Sequence, residues 1–292
     1  MDGLKTSQLV VFFSHDTFYN KQKGCEQMTK ITLTIGGSDT WGGGGIQTDL
    51  KTFENLQTFG LTVLTCLAVA ENDNFVIRPL PPSLIQEQLQ TIEASFQLDG
   101  VKIGLLASIE IVDLVIDFCQ RNQGKFPIIL DPVLAFKETE QQLQQDYLKK
   151  IKELARLVDL VTPNLKEMER LVAGPPIANR SDMKYRTQQL VSELQTPVIL
   201  KGGNKIVNDR AVDYYTDNKI THYFIGPVSY KPTIHGAGCC FSAAICAYLA
   251  HGLSLIESIE KSQHFVYEAI EHGLPVYDAG NVWHGNIERN DT

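Results

Sequence analysis

The sequence predicts an α/β fold: a mostly parallel central sheet with helices packed on both faces. Two observations carry that reading. From residue 30 onward, short β-branched runs alternate with segments whose apolar residues recur at helical spacing, which is the pattern of βαβ units. In addition, every loop that is rich in glycine or carries a chemically useful side chain (36–45, 131–140, 162–167, 201–204 and 236–239) follows a predicted strand. Ligands of open parallel sheets bind beyond the carboxyl ends of the strands, so these loops are expected to converge on one site.

The elements follow in order. Residues 31–35 (Ile-Thr-Leu-Thr-Ile) read as a strand, and 46–57 as a helix with Ile46, Leu50, Phe53 and Leu56 at helical spacing. Residues 61–70 read as a strand, and 82–96 as a helix with Leu84, Ile85, Leu89 and Ile92 on one face. Strand 100–106, amphipathic helix 109–120, strand 126–131 and helix 143–154 come next, then strand 157–162 and helix 166–172. Helix 186–194 leads to strand 197–201. Segments 207–215 and 222–225 form a hairpin of edge strands, with Thr216-Asp217-Asn218 supplying turn chemistry. Helices 241–250 and 255–272 close the chain. No linker or repeat interrupts the pattern, so residues 28–292 are read as one domain.

Hydrophobic content of 43% and charged content of 21% suit a globular enzyme, and the formal net charge is -8. An acidic balance argues against a general nucleic-acid binder, which carries a basic footprint. No apolar run approaches the roughly 18 residues of a membrane helix. The six cysteines (25, 66, 119, 239, 240 and 246) form no CxxC pair and no zinc-spaced cluster, so a reducing, cytoplasmic setting is expected. Residues 1–27 lack a strand or helix period. Their apolar run 9–13 is shorter than the ~7–15 residues of a signal-peptide core, and Met28 precedes the first clean strand. The segment is read as a poorly ordered extension.

The segment Ile234-His235-Gly236-Ala237-Gly238-Cys239-Cys240 says most about chemistry. Three small residues before a helical run let backbone N–H groups converge at a helix start, where the dipole also favours an anion. A plain glycine-rich turn would look the same. The loop 36–45 holds four consecutive glycines, and Asp49 stands at the start of the next helix. Asp49 either complements the helix dipole or hydrogen-bonds a substrate hydroxyl or ring nitrogen. Asn164 and Glu167, three apart after a strand, make a capping box or hold a hydrated Mg²⁺ beside phosphates, and both can hold at once. Asp131 is either a second carboxylate for that metal or a loop cap. Lys201 and its following glycines either meet a nucleotide or lie at the surface.

Together these motifs resemble the ribokinase-like small-molecule kinases, and within them the branch of the hydroxymethylpyrimidine kinases and the pyridoxal kinases similar to them. The likeness runs from residue 30 to about 277 on GSDTWGGGGIQTDLKTF, VKIGLL, LDPVLAFKE, VTPNLKEMERL, LKGGN, RAVDYY and HGAGCCFSAAI. It implies a three-layer ribokinase-like fold and a phosphotransferase moving the γ-phosphoryl of MgATP to a hydroxymethyl group, with ATP and Mg²⁺ as cofactors. It implies backbone N–H groups of Gly236, Ala237, Gly238 and Cys239 as the anion hole. Substrate contacts would come from Gly37, Asp49, Ala70, Val133 and Cys239, and nucleotide contacts from Asn164, Lys201, Gly203, Asp213 and Gly238. Asp131 and Glu167 would organise the metal, and loop 132–140 would close as a lid. A small hydroxymethyl pyridine or pyrimidine is the implied partner, with a homodimer common for this fold.

Most ribokinase-like kinases carry an aspartate base where this chain has Cys239. The resemblance places this cysteine beside the acceptor hydroxymethyl, where in related pyridoxal kinases it adds to the aldehyde as a hemithioacetal. A thiol at a helix start is expected to have a depressed pKa. Hydroxymethylpyrimidine kinases carry a glutamine at the position of Ala70, and alanine offers no side-chain hydrogen bond to a pyrimidine amino group. Segments 210–215 and 274–277 also lean to the pyridoxal-kinase side, whereas Phe136 replaces the second lid cysteine of some members. The implied activity is phosphorylation of a B6 vitamer. The alternative is hydroxymethylpyrimidine or phosphomethylpyrimidine kinase of thiamin synthesis, and a more distant one is a non-catalytic vitamer-binding protein.

Overall fold

The computed structural model describes residues 29–71, 74–134, 141–276 and 279–284. Extension 1–27, Cys25, Phe136 with most of the expected lid, and Tyr277 lie outside the described residues. The strands are β1 (Lys30–Asp39), β2 (Thr58–Glu71), β3 (Asn74–Pro79), β4 (Gly100–Ile103), β5 (Ile128–Leu130), β6 (Leu160–Val161), β7 (Val198–Lys201), β8 (Ala211–Thr216) and β9 (Thr221–Gly226). They form one sheet in the order β3-β2-β1-β4-β5-β6-β7-β8-β9. The strands from β2 through β7 run parallel, and the edge strands β3, β8 and β9 pair antiparallel.

The helices are α1 (Gly45–Asn55), α2 (Pro82–Ser95), α3 (Ile109–Asn122), α4 (Gln141–Ala155), α5 (Leu165–Leu171), α6 (Arg180–Leu194), α7 (Ala237–Ala250) and α8 (Leu255–Glu271). Side chains alternate across a strand, so a sheet buried on both faces feeds two cores. Ile128, Leu130, Val198 and Leu200 join the core under α2, α3, α4 and α6, whereas Ile129 and Ile199 join Phe53, Phe241 and Ile259 under α1, α7 and α8. This is the three-layer, mostly parallel arrangement expected from the sequence. Among the described residues no helix is long and apolar enough to cross a membrane.

Several boundaries depart from the sequence reading. β3 was not expected, because Asn74–Pro79 is short, holds Arg78 and ends in proline. It forms by hairpin pairing with β2. The first turn of α6 is polar and gives no apolar period, so six residues beyond the predicted start belong to the helix, capped by Asn179 accepting from Asp182 N at 3.0 Å. α7 begins at Ala237 rather than 241. β8 begins at Ala211 rather than 207, and a small hairpin, β10 (Leu274–Val276) with β11 (Ala279–Asn281), follows α8.

The strand order reverses at β1, whose neighbours β2 and β4 are reached in opposite directions. The crevice beside this point receives the loops after β1, β4, β5, β6 and β7. α7 crosses beneath β1, β4 and β5 and delivers its N-terminus there. Gly100 permits that approach, since a Cβ at this position would stand 3.1 Å from Cys246 Sγ and 3.3 Å from Cys246 O. Gly100→Val should therefore push α7 off the sheet and destabilise the protein by about 1–3 kcal/mol through overpacking. Urea denaturation checks this, and an unchanged midpoint contradicts the packing account.

Candidate active site

The crevice encloses a cavity of about 340 Å³. Its walls are built by backbone that only glycine can supply. Gly236 has φ +88 as N-cap of α7, and a Cβ on it would collide with Gly43 O. Gly45 has φ +58, and a Cβ there would collide with Gly37 O. The 36–45 loop and the start of α7 thus pack backbone against backbone. Asp39 pins the loop, accepting from Trp41 N at 2.9 Å and Gly44 N at 2.8 Å. His235 Nε2 lies 3.0 Å from Asp39 Oδ2 and ties the two segments together.

At the first turn of α7 the Gly238 and Cys239 amides have no acceptor among the described residues. They are the orphan N–H groups of a helix start, where the macrodipole adds positive potential. Lys201 Nζ sits beside them, 3.5 Å from where a Gly238 Cβ would stand.

Two buried ion pairs lie beneath the cavity. Lys102, 1% exposed, donates to both carboxylate oxygens of the fully buried Asp49 at 3.0 and 2.8 Å, and Thr34 Oγ1 donates to Asp49 Oδ2 at 2.6 Å. Burial pushes the Lys102 pKa down, but the neighbouring Asp49, Cys239 and Asp131 outweigh it and hold the ammonium in its charged form. Lys201 Nζ donates to Asp131 Oδ1 at 2.7 Å, and Ser242 Oγ lies 3.2 Å from Asp131 Oδ2. Burial again opposes the Lys201 charge, and Asp131 and Glu167 overcome it.

Glu167 and Asn164 form a capping box: Asn164 N donates to Glu167 Oε2 at 2.8 Å and Glu167 N to Asn164 Oδ1 at 3.0 Å. Burial pushes the Glu167 acid up to about 7 against the pull of Lys201, with Asp131 adding to the rise.

The expected residues divide. Gly37, Val133, Asn164, Glu167, Asp131, Lys201, Gly236, Gly238 and Cys239 line the cavity, and Ala237 sits between them in the first turn of α7. Asp49 lines it too, but its carboxylate is committed to Lys102 and Thr34 rather than open to a substrate ring. Ala70 does not line it. The wall residue of β2 is Ala68, and Ala70 stands two residues further along the same strand, exposed and paired with Phe75 of β3. Gly203 and Asp213 lie outside the lining, with the Asp213 carboxylate turned to the Gly202 and Gly203 amides.

The Cys239 expectation needs a larger correction. The thiol accepts a hydrogen bond from the Gly45 amide and feels Lys102, yet burial dominates, Asp49 and Asp131 add to it, and the pKa rises to about 11. Two nearby carboxylates and desolvation cancel what the helix start and the lysine provide. Cys240 and Cys246 are fully buried in the cores, and the five cysteines among the described residues are free thiols.

Sequence reasoning missed Lys102, His235 with Asp39, and Ser242. A lysine inside the apolar run Gly-Val-Lys-Ile-Gly is a readable signal for Lys102, because a buried charge needs a partner. The His235–Asp39 contact spans 196 residues and leaves no local trace.

Residues 39–283 match the family model described as phosphomethylpyrimidine kinase. A hydroxymethylpyrimidine/phosphomethylpyrimidine kinase of Aquifex aeolicus is 35% identical over 245 residues, covering 83% of this chain and 94% of that protein. The structure of an ADP complex of Bacillus subtilis pyridoxal kinase superposes with a TM-score of 0.82 at 32% identity, over 88% of this chain and 97% of that one. The Staphylococcus aureus pyridoxal kinase in complex with AMP-PCP and pyridoxal gives 0.80 at 32% identity, over 89% and 95%.

Three outcomes are expected of this geometry. Lys102→Met leaves Asp49 buried and uncompensated and should cost about 3–5 kcal/mol, whereas Lys102→Met with Asp49→Leu should recover most of it. Urea unfolding checks both, and equal losses in the single and double variants count against the cost of an uncompensated buried carboxylate. Iodoacetamide should alkylate Cys239 no faster than free cysteine at neutral pH, with the rate climbing toward pH 11, as read by mass spectrometry. Rapid neutral-pH labelling would show a thiolate.

The third concerns pH. His235 is raised by its bond to Asp39, so its contribution is full below 6.5 and lost as pH rises through the raised value. Burial pushes Asp39 up, but the bonds from His235, Trp41 and Gly44 bring it below 3.8, so its contribution is present above 3.8 and lost as pH falls through the lowered value. His235→Gln should lower Tm most between pH 3.8 and 6.5 and least in alkaline buffer. A pH-independent loss would exclude the charged pair.

Proposed function

This chain belongs to the phosphomethylpyrimidine kinase family and is a phosphotransferase with an alcohol acceptor; within that family we propose that it phosphorylates the hydroxymethyl group of a B6 vitamer (pyridoxal, pyridoxine or pyridoxamine), with ATP as donor. The observation that carries the vitamer is the β2 wall of the cavity. Ala68 faces the cavity, and Ala70 continues that face toward the hairpin tip. Neither side chain can pair with an exocyclic amino group, so the β2 wall gives a pyrimidine bearing one no side-chain partner. The pyridoxal kinases of comparable fold, solved in complex with ADP or with AMP-PCP and pyridoxal, support the same reading. The second reading, a hydroxymethylpyrimidine or phosphomethylpyrimidine kinase, is favoured by the Aquifex relative.

Phosphoryl transfer asks mostly for positioning and charge stabilisation. The open Gly238 and Cys239 amides and the charged Lys201 suit the oxygens of the transferring group, since preorganised donors act where charge develops. Cys239, a neutral thiol with its pKa near 11, serves as a hydrogen-bonding neighbour of the acceptor hydroxyl rather than as its base. The 36–45 loop, held by Asp39 and His235, walls the acceptor from water.

A hydrated Mg²⁺, if held here, would supply positive charge beside the donor phosphates. Glu167 fits it: its carboxyl lines the cavity, burial pushes it up to about 7 despite Lys201, and a hydrated dication would favour its ionised form. Asp131 fits less well as a direct ligand, since Lys201 and Ser242 already occupy its oxygens.

Steady-state kinetics with pyridoxal, pyridoxine and hydroxymethylpyrimidine test the assignment. A missing bond to a buried polar group is worth on the order of 1–3 kcal/mol, so kcat/KM should favour a pyridine acceptor by about tenfold or more. Preference for hydroxymethylpyrimidine would transfer the assignment to the thiamin-pathway reading.

A further inference from the structure

We propose that Asp213 is a positioning residue: it clamps the backbone turn after Lys201 and so fixes the Lys201 ammonium at the start of α7. The proposal rests on the kinase reading above and adds to it a residue outside the cavity lining. Asp213 lies on β8 directly opposite Lys201 of β7 in the antiparallel register. It is 7% exposed. Its Oδ1 accepts from Gly202 N at 2.9 Å and from Gly203 N at 3.4 Å. Its Oδ2 accepts from Gln263 Nε2 of α8 at 3.0 Å, and the same nitrogen lies 3.4 Å from Phe224 O of β9.

The turn it grips is tight. A Cβ on Gly202 would collide with Val212 O, and Gly203 has φ +54. Both glycine amides therefore point inward to the carboxylate rather than into the cavity. Lys201 is consequently held at three points: its N–H donates to Pro163 O at 2.8 Å, its Nζ reaches Asp131 at 2.7 Å, and the residues that follow it are tied to Asp213. Loss of the clamp orphans two amides and frees the strand end. A displacement of about 1 Å in a charge-stabilising group can cost on the order of a hundredfold in rate.

Three variants of the full chain separate the possibilities, read by kcat, KM and amide exchange over residues 198–206. Asp213→Ala should lower kcat by about tenfold or more, change KM for the acceptor little, and raise exchange in that segment. Asp213→Asn keeps an oxygen for Gly202 N–H, and Gln263→Ala keeps the whole carboxylate. Both should retain kcat within about threefold of wild type while lowering Tm, because they lose only the tie to α8. Asp213→Ala with wild-type kcat and unaltered exchange overturns the proposal. So does Asp213→Asn that is as slow as Asp213→Ala, because charge rather than the clamp would then be at work. If Asp213→Ala does not fold, the kcat of Asp213→Asn decides: near wild type supports the clamp, and a large loss overturns it. An inactive wild type with protected 198–206 amides would reject the kinase reading and leave the clamp standing.

Discussion

The site depends on one close approach, that of the Gly43 carbonyl to the Cα of Gly236. Any side chain at Gly236 would collide with that oxygen, and the left-handed φ there turns the chain into α7 with its first amides at the crevice. Everything else serves this contact from one side or the other. Thr48 Oγ1 donates to Gly43 O at 2.8 Å, Lys51 Nζ to Gly42 O at 2.8 Å, and Asp39 collects the Trp41 and Gly44 amides on either side of them. On the opposite side, His235 N donates to Gly280 O and Val282 N to His235 O, so the chain after α8 braces the segment that enters α7.

Charge under the cavity is arranged as two lysine–carboxylate pairs rather than as free acids. Asp49 and Asp131 looked, as sequence, like groups offered to a ligand. In the folded protein each is taken by a lysine from a neighbouring strand end, Lys102 from β4 and Lys201 from β7. Burial, with the two carboxylates adding to it, raises the Cys239 pKa, while each lysine keeps its proton through its carboxylate partner, so the cavity offers an anionic donor the paired Lys201 ammonium and a neutral thiol. A loose transition state with little demand for a strong base suits that arrangement.

The fold was legible because strand runs such as Ile-Thr-Leu-Thr-Ile and helical periods such as Ile46, Leu50 and Phe53 are local signals. The glycines of loop 36–45 and of the α7 start were legible for the same reason: close backbone approach excludes other residues. β3 was not, because its six residues pair with β2 only through the hairpin and carry no apolar alternation. The polar start of α6 was hidden likewise. In the site, residue types were readable but their partners were not. Asn164 and Glu167 declare their box by spacing, whereas the Lys102–Asp49 contact joins residues 53 apart and the Lys201–Asp131 contact residues 70 apart. The Cys239 pKa was misread because a helix start is a local feature and burial beside two carboxylates is not. Ala70 was placed at the substrate by the family resemblance, whereas β2 runs past the cavity into its hairpin with β3, so that Ala68 is the β2 residue of the wall and Ala70 stands exposed two residues on.

The central claim is that the first turn of α7 receives the transferring phosphoryl group. The most direct measurement is a crystal structure of the protein with a non-hydrolysable ATP analogue and pyridoxine. The account predicts the terminal phosphate oxygens within about 3 Å of the Gly238 and Cys239 amide nitrogens, the normal hydrogen-bond range, with the acceptor hydroxymethyl beside Cys239. A terminal phosphate bound elsewhere in the crevice, with those amides still open, would contradict it.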